Sequence, residues 1–234
     1  LGYGLYGELS TSVHTTPDAL TVQHALRAMQ TAGARCVVSE VSSHAMDQGR
    51  VRGVTFDLAV LTNLTRDHLD YHGDLESYAE AKRKLFHSDG LRYAVINADD
   101  NFGSALLDAI PPGVAPIAYR LENDPFRTRF PAQWVIGRNL QFDVNGLSMD
   151  VQTPWGSGSL HCGLLGRFNA SNLLASLASL CVVGLPFQEA LRRLAVTRTV
   201  PGRMERFDMG EGRPLAVVDF AHTAAALEGV LSSL

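Results

Sequence analysis

Apolar runs of strand length recur along this chain with helical periods between them. Residues 35–41, 57–61 and 93–97 read as strands, and the helices that alternate with them fall at about 17–33, 75–87 and 101–110. Parallel neighbours in a sheet need a crossover long enough to hold a helix, so the alternation predicts an α/β fold: a mostly parallel sheet flanked by helices. A chain of 234 residues, 46% hydrophobic and 19% charged, can bury a full core of this kind, and its composition excludes disordered and collagen-like classes.

Local signals place the elements more closely. Thr16 followed by Pro17 predicts an N-cap and first helical residue, and Gly33 a stop. From 114 to 162 the helical period disappears. Asn145-Gly146 between the alternating segments 141–144 and 147–152 predicts a type I′ hairpin, so this stretch is expected to be a small β insertion. Helices resume at about 169–183 and 186–195. A final strand at 214–219 then leads into an alanine-rich helix that starts another domain.

The charge balance, 20 Lys+Arg against 24 Asp+Glu, leaves no basic stripe, so nucleic acid is not an expected partner. No apolar run reaches the length of a membrane span. Cys36, Cys162 and Cys181 form no C-x-x-C pair, which argues against a zinc site or disulfide framework and fits a reducing, cytoplasmic setting. Cys162, Cys181 and Met149 are expected to pack. The chain opens on Leu and closes inside a helical pattern, which suggests an excerpt of a longer protein.

Several polar clusters could carry chemistry. Gly2-Tyr3-Gly4-Leu5-Tyr6-Gly7 matches G-x-G-x-x-G, but without a strand before it or a helix after it the expectation is a plain turn. Glu40 closes the 35–41 run, and a carboxylate at the carboxyl end of a strand can hold a hard cation. The next strand runs through Thr62-Asn63 into Asp67-His68-Leu69-Asp70-Tyr71-His72, so a second polar cluster reaches the same region; a solvated, capped loop is the competing reading. Lys82 sits in a charged run whose ordinary meaning is a solvated helix face with pairs such as Glu80 to Lys84. Asn169 and Asn172 begin a helix after Gly163-Leu164-Leu165-Gly166, and Asp219 and His222 occupy a strand-to-helix turn. Caps or anion contacts would explain either pair.

Taken in order, these pieces resemble one family. Thr15-Thr16-Pro17, Glu40-Val41-Ser42-Ser43-His44, Gln48-x-Arg50, Asp67-His68-Leu69-Asp70-Tyr71-His72-Gly73, Glu80-Ala81-Lys82, Asn97-Ala98-Asp99-Asp100, Gly166-x-Phe168-Asn169-x-x-Asn172, Gly202-Arg203-Met204-Glu205 and Asp219-Phe220-Ala221-His222-Thr223 look like the motifs of the Mur ligases. The resemblance implies ATP-dependent addition of the third amino acid to UDP-N-acetylmuramoyl-L-alanyl-D-glutamate through an acyl phosphate. The cofactors implied are Mg²⁺ and ATP, and the protein would be a cytoplasmic monomer.

By the same resemblance Glu40, His68 and a carbamylated Lys82 would hold the metal, a hard cation suited to oxygen ligands. Thr15, Thr16, Ser42, Gln48 and Arg50 would bind the UDP-muramoyl dipeptide, and Asn97, Asn169, Asn172, Arg203, Asp219 and His222 the nucleotide. Residues 1–200 would be the central ATP-binding domain, with the β insertion at about 114–162. Residues 201–234 would begin the Rossmann-like C-terminal ligase domain. The sequence departs from the family pattern in having no G-x-x-G-K-[ST] loop and in carrying Phe220, Ala224 and Ala225 where Tyr, Pro and Asp are usual. Without the loop, catalysis by this chain alone is not expected, and a non-catalytic module derived from a Mur ligase is the alternative reading.

Overall fold

The structure is a computed structural model and describes residues 2–12, 14–65, 69–121, 132–143, 146–207, 210 and 216–232. It divides into two compact units: Leu1–Ala59 with Arg66–Arg92, and Val60–Thr65 with Tyr93–Leu234.

The first unit opens with a hairpin of β1 (Gly2–Leu5) and β2 (Glu8–Thr11). Its glycines serve close strand pairing: a Cβ on Gly2 would fall 2.3 Å from the Ser10 carbonyl oxygen, and one on Gly4 2.6 Å from that of Glu8. The expected plain turn is thus the tip of a strand pair, and no helix follows to make a dinucleotide fingerprint.

Helix α1 (Ala19–Thr31) is capped by Asp18, whose carboxylate accepts from the Leu20 and Thr21 amides and the Thr21 hydroxyl. The cap expected at Thr16 is therefore two residues early. A carboxylate directly before the first turn satisfies the orphan N–H groups and the helix dipole together, whereas the Thr16 side chain is buried and bonded elsewhere. Ser42 caps α2 (Ser43–Asp47) and Asp74 caps α4 (Leu75–Phe86), which buries Tyr78, Ala81 and Phe86. Between them α3 (Leu69–His72) makes a short helix of a run that reads as a loop in the sequence.

Residues 35–41 form no strand. None of the described segments offers them a ladder, and Val37 and Val38 are 42% and 94% exposed. Glu40 accordingly lies in an irregular, exposed stretch rather than at the end of a buried strand.

A six-stranded sheet, which apart from Leu58 and Ala59 of β3 belongs to the second unit, is ordered β3 (Leu58–Leu61), β4 (Tyr93–Asn97), β5 (Ala115–Leu121), β6 (Gln133–Asp143), β7 (Gly146–Thr153), β8 (Gly156–Cys162). Strands β4, β5 and β6 are parallel; β6, β7 and β8 are antiparallel. The α/β expectation holds. The β insertion does not stand apart but extends the same sheet, because β6 pairs with β5 along one side and β7 along the other. Of its predicted turn, Gly146 opens β7, and Asn145 lies outside the described residues.

Ala94, Val95 and Ile96 of β4 are fully buried, as a strand covered on both faces requires. Helix α5 (Asn101–Asp108) packs on β4, α6 (Arg167–Val182) lies across β4, β5 and β6, and α7 (Phe187–Ala195) packs on α6 and β8. Cys162, Cys181 and Met149 are buried as expected, and burial pushes both thiols up, away from reactive thiolate. A ribbon of β9 (Glu205–Phe207) and β10 (Ala216–Val218) follows, then α8 (Ala224–Leu231), capped by Thr223. The last predicted strand is thus shorter than 214–219, residues 214 and 215 lying outside the described set.

Gly103, in the first turn of α5, tests the packing of that helix on β4. A Cβ there would sit 2.0 Å from the Asn97 carbonyl oxygen. Helix propensity alone favours alanine by about 1 kcal/mol, but overpacking against backbone costs about 1–3 kcal/mol or more. Gly103→Ala is expected to lower the urea midpoint; an unchanged or raised midpoint would refute this account of the contact.

Candidate functional site

In the first unit a chain of hydrogen bonds links most of the residues expected to bind substrate. Thr16 is 1% exposed, and its hydroxyl donates to the Glu40 carbonyl at 2.9 Å while accepting from the Ser42 amide at 3.0 Å. Its own carbonyl accepts from Arg50 Nη1 at 2.8 Å. Arg50 Nε donates to Gln48 Oε1 at 2.8 Å. Thr16, Glu40, Ser42, Gln48 and Arg50, drawn from a stretch of 35 residues, are thereby held as one assembly by the β2–α1 connection, the irregular stretch before α2, and the end of α2. Thr15 is next to it and exposed.

Behind this assembly lie side chains whose role sequence reasoning did not assign. Gln48 Nε2 donates to the Tyr71 hydroxyl at 3.2 Å, which donates to Asp47 Oδ2 at 3.1 Å; Lys84 Nζ donates to Asp47 Oδ1 at 2.9 Å. The Lys84 and Tyr71 hydrogen bonds hold the Asp47 carboxyl below its ordinary range. The expected Glu80–Lys84 pair is replaced: Glu80 takes Arg83 at 2.8 Å, and Lys84 reaches across to α2. The rings of His44 and Tyr71 lie 4.2 Å apart, and Tyr71 meets His72 edge-on at 4.7 Å. His72 Nε2 shares a 3.0 Å hydrogen bond with the Ser43 hydroxyl.

Lys82 Nζ lies 5.1 Å from the centre of the Tyr78 ring, a cation–π distance. Glu40 presents an exposed carboxylate, a hard oxygen donor of the kind Mg²⁺ accepts while keeping several waters. His68, the third expected ligand, lies outside the described residues. Among the described residues no three His, Cys, Asp or Glu side chains are grouped to hold a metal ion.

The residues expected to meet the nucleotide lie in the second unit. Asn97, at the end of β4 and 8% exposed, donates from Nδ2 to the Thr62 carbonyl at 2.6 Å and accepts at Oδ1 from the Asp99 amide. The start of α6 is capped by Gly166, which has φ 92° and gives no side-chain cap. Asn169 and Asn172 are therefore not caps: Asn169 Nδ2 turns back to the Leu165 carbonyl at 2.7 Å, and Asn172 is exposed one turn further on.

Asp219 accepts from the Met204 amide at 2.8 Å and the Ala221 amide at 2.7 Å, so it ties the Gly202–Met204 turn to the end of β10. His222 Nδ1 lies 2.9 Å from the Phe220 carbonyl, which can only accept, so the proton sits on Nδ1. Arg203 is exposed, and its carbonyl accepts from the Thr199 hydroxyl.

The model of the Mur ligase middle domain matches residues 2–180. The chain belongs to the Mur ligase family. It is 48% identical over 235 residues to the UDP-N-acetylmuramoyl-L-alanyl-D-glutamate--2,6-diaminopimelate ligase of Chromobacterium violaceum and 47% identical over 234 residues to that of Pseudomonas aeruginosa. Each alignment covers 100% of this chain and 46% of the relative, so the chain spans about half the length of the curated relatives it matches. A solved ligase of the same name superposes over 100% of this chain and 46% of its own, with TM-score 0.83 and 36% identity. UDP-N-acetylmuramate-alanine ligase from Thermotoga maritima, at TM-score 0.60 and 19% identity, shares the fold over 82% of this chain and 40% of its own.

Within this Mur ligase chain, Thr16 is the buried joint of the hydrogen-bonded assembly. Thr16→Val strands the Ser42 N–H and the Glu40 carbonyl, and should cost about 2–3 kcal/mol, while Thr16→Ser keeps both bonds and should cost less than half as much. Urea unfolding of the two variants checks the ordering, and equal losses would refute it. Asp47 predicts an acid limb as well. Its folded pKa lies below the ordinary 3.8, so its contribution is complete above that value and lost as pH falls through the lower folded one. Lys84→Met removes the largest cause of the shift, so an NMR titration should find the Asp47 carboxyl moved back up toward 3.8; an unmoved midpoint would refute it.

Proposed function

We propose that this chain is the central part of an ATP-dependent ligase that joins 2,6-diaminopimelate to UDP-N-acetylmuramoyl-L-alanyl-D-glutamate in peptidoglycan synthesis. The observation that carries the reading is 48% identity, along the whole of this chain, to a ligase named for that reaction. It also supports diaminopimelate as the amino acid, which the motifs alone leave open.

Condensing a carboxylate with an amine needs a leaving group on the acyl carbon. In the proposed reaction a dipeptide carboxylate oxygen bonds to the γ-phosphorus of ATP as the bond to ADP breaks. The amine of diaminopimelate then attacks the acyl carbon, and inorganic phosphate leaves. Both reacting groups in the first step are anions, so positive charge must be held near them.

On the acceptor side we assign Arg50 and Gln48 to the peptide's carboxylate and amide groups, with the hydroxyls of Thr15 and Ser42. The Thr16 hydroxyl is already committed to backbone, and its part is to hold Arg50 through its carbonyl. Arg203 suits phosphate oxygens, Asp219 ribose hydroxyls, and Asn97, Asn169, Asn172 and His222 the remaining polar edges of the nucleotide.

Glu40, His68 and Lys82 would hold Mg²⁺, Lys82 as its carbamate, since an ammonium would repel the ion. Bound there, the ion would screen the negative charge of the reactants. Residues 201–234 fit the start of the C-terminal ligase domain, in a monomeric, cytoplasmic enzyme.

The full-length protein that contains this chain should consume ATP and release phosphate in step with a product heavier by one diaminopimelate residue, read by mass spectrometry. Lys82→Ala should reduce the rate by at least about a hundredfold. The 234-residue chain alone, which carries no G-x-x-G-K-[ST] loop, should show no turnover. Binding of the dipeptide substrate by the full-length protein with no ATP consumption, whatever amino acid is offered, would overturn the ligase reading in favour of a non-catalytic module.

A further inference from the structure

We propose that Tyr71 is a positioning residue for the substrate peptide: its hydroxyl fixes the Gln48 amide, and through it the Arg50 guanidinium, in a single orientation. The inference rests on the ligase reading above, which assigns Gln48 and Arg50 to the peptide.

The argument is one of donors and acceptors. Asp47 carries an ionised carboxylate, which can only accept, and Lys84 holds it at 2.9 Å through Oδ1. The Tyr71 proton must therefore point at Asp47 Oδ2, 3.1 Å away. That leaves a phenol lone pair facing Gln48, so the NH₂ end of the amide turns to Tyr71 at 3.2 Å and its oxygen turns to Arg50 Nε at 2.8 Å. An amide flipped the other way would set its oxygen against an acceptor lone pair and its NH₂ against a guanidinium donor. Arg50 is then held at its far side by the Thr16 carbonyl, 2.8 Å from Nη1. The direction of every bond in the relay is thus fixed, by the carboxylate of Asp47 at one end and by the guanidinium of Arg50, which can only donate, at the other.

The magnitudes separate orientation from stability. Tyr71 is 42% exposed, and the Lys84 and Asp47 side chains are 51% and 43% exposed. Pairs this exposed contribute little to folding free energy. What they can change is the fraction of molecules whose Gln48 and Arg50 stand ready for a ligand, and a fractionally populated competent state weakens apparent affinity by that fraction. The Tyr71 ring is separately held by His44 at 4.2 Å and by His72, in a T-shaped arrangement, at 4.7 Å. Tyr71→Phe therefore removes the hydroxyl and leaves the ring packing in place.

The test uses the full-length protein. Tyr71→Phe should raise KM for the UDP-muramoyl dipeptide about tenfold, with kcat and the KM for ATP within about twofold and an unchanged melting temperature. In a Gln48→Ala background, where no amide remains to orient, the same substitution should add nothing further. An unaltered dipeptide KM would overturn the inference. So would an equal rise in both backgrounds, or a fall in kcat together with the melting temperature, since each denies that Tyr71 acts through Gln48. A wild-type protein that fails to turn over the dipeptide would strike the ligase reading itself, and this inference with it, before any variant is compared.

Discussion

A residue that is 1% exposed cannot rely on water for its hydroxyl, and the hydroxyl of Thr16 makes its hydrogen bonds to two backbone groups far from it in sequence. Those bonds, to the Glu40 carbonyl and the Ser42 amide, pin an irregular stretch that has no ladder of its own. Because Ser42 is also the cap of α2, its hydroxyl accepting from the Ala45 amide, the register of that short helix follows from the same joint. Gln48 and Arg50 then leave the end of α2 in a fixed place. A buried polar side chain here does what sheet pairing does elsewhere in the fold.

The second unit meets the same need with different groups. The carboxyl ends of its strands expose backbone that no ladder satisfies, and buried polar side chains take it up. Asn97 donates to the Thr62 carbonyl, and the fully buried Tyr119 donates to that of Leu61 at 3.0 Å. Burial pushes the Tyr119 phenol up, so it stays a neutral donor throughout the physiological range. Asp100 accepts from the Leu64 amide and, as the cap of α5, from the Gly103 amide. Asn97 and Asp100 are thus tethers for the loop after β3, while Asp99 between them accepts from the Leu121 amide at the end of β5.

The alternation of strand and helix was legible because periodicity reports burial, and burial is what the sheet and its covering helices share. Helices α4, α5 and α7 stand close to their predicted places for that reason. Residues 35–41 failed because an apolar run encodes a wish for burial and not the partner that grants it. Thr16 was misread as a cap because capping is a local rule, and its actual bonds run 24 and 26 residues along the chain.

On the site side, the candidate residues come from family motifs, while the relay through Asp47, Tyr71 and Lys84 does not. Tyr71 stood inside a quoted motif without a role, and the charge run around Lys84 pointed to Glu80 instead. Long-range pairing of exposed polar groups leaves no periodic trace; the only local signal was a tyrosine between an aspartate and a histidine.

Asp219 ties down a strained turn and still keeps acceptor capacity. Met204 has φ 49°, a conformation a long side chain seldom adopts, yet it is 2% exposed and so cannot relax outward. Its amide is held by Asp219 Oδ2, and Oδ1 takes the Ala221 amide. Next to it, Gly202 has φ 72°, and a Cβ there would lie 2.2 Å from the Phe220 ring. The turn is therefore seated against the Phe220 ring and by the Phe220 amide donating to the Gly202 carbonyl at 2.9 Å. Neither contact involves the position of a tyrosine hydroxyl, so phenylalanine in place of the usual tyrosine leaves this seat intact. A carboxylate oxygen has two lone-pair sites, and each oxygen of Asp219 has one occupied by backbone. The remaining pair can still accept from two adjacent hydroxyls such as those of a ribose, and they would meet a carboxylate already locked in orientation by the turn.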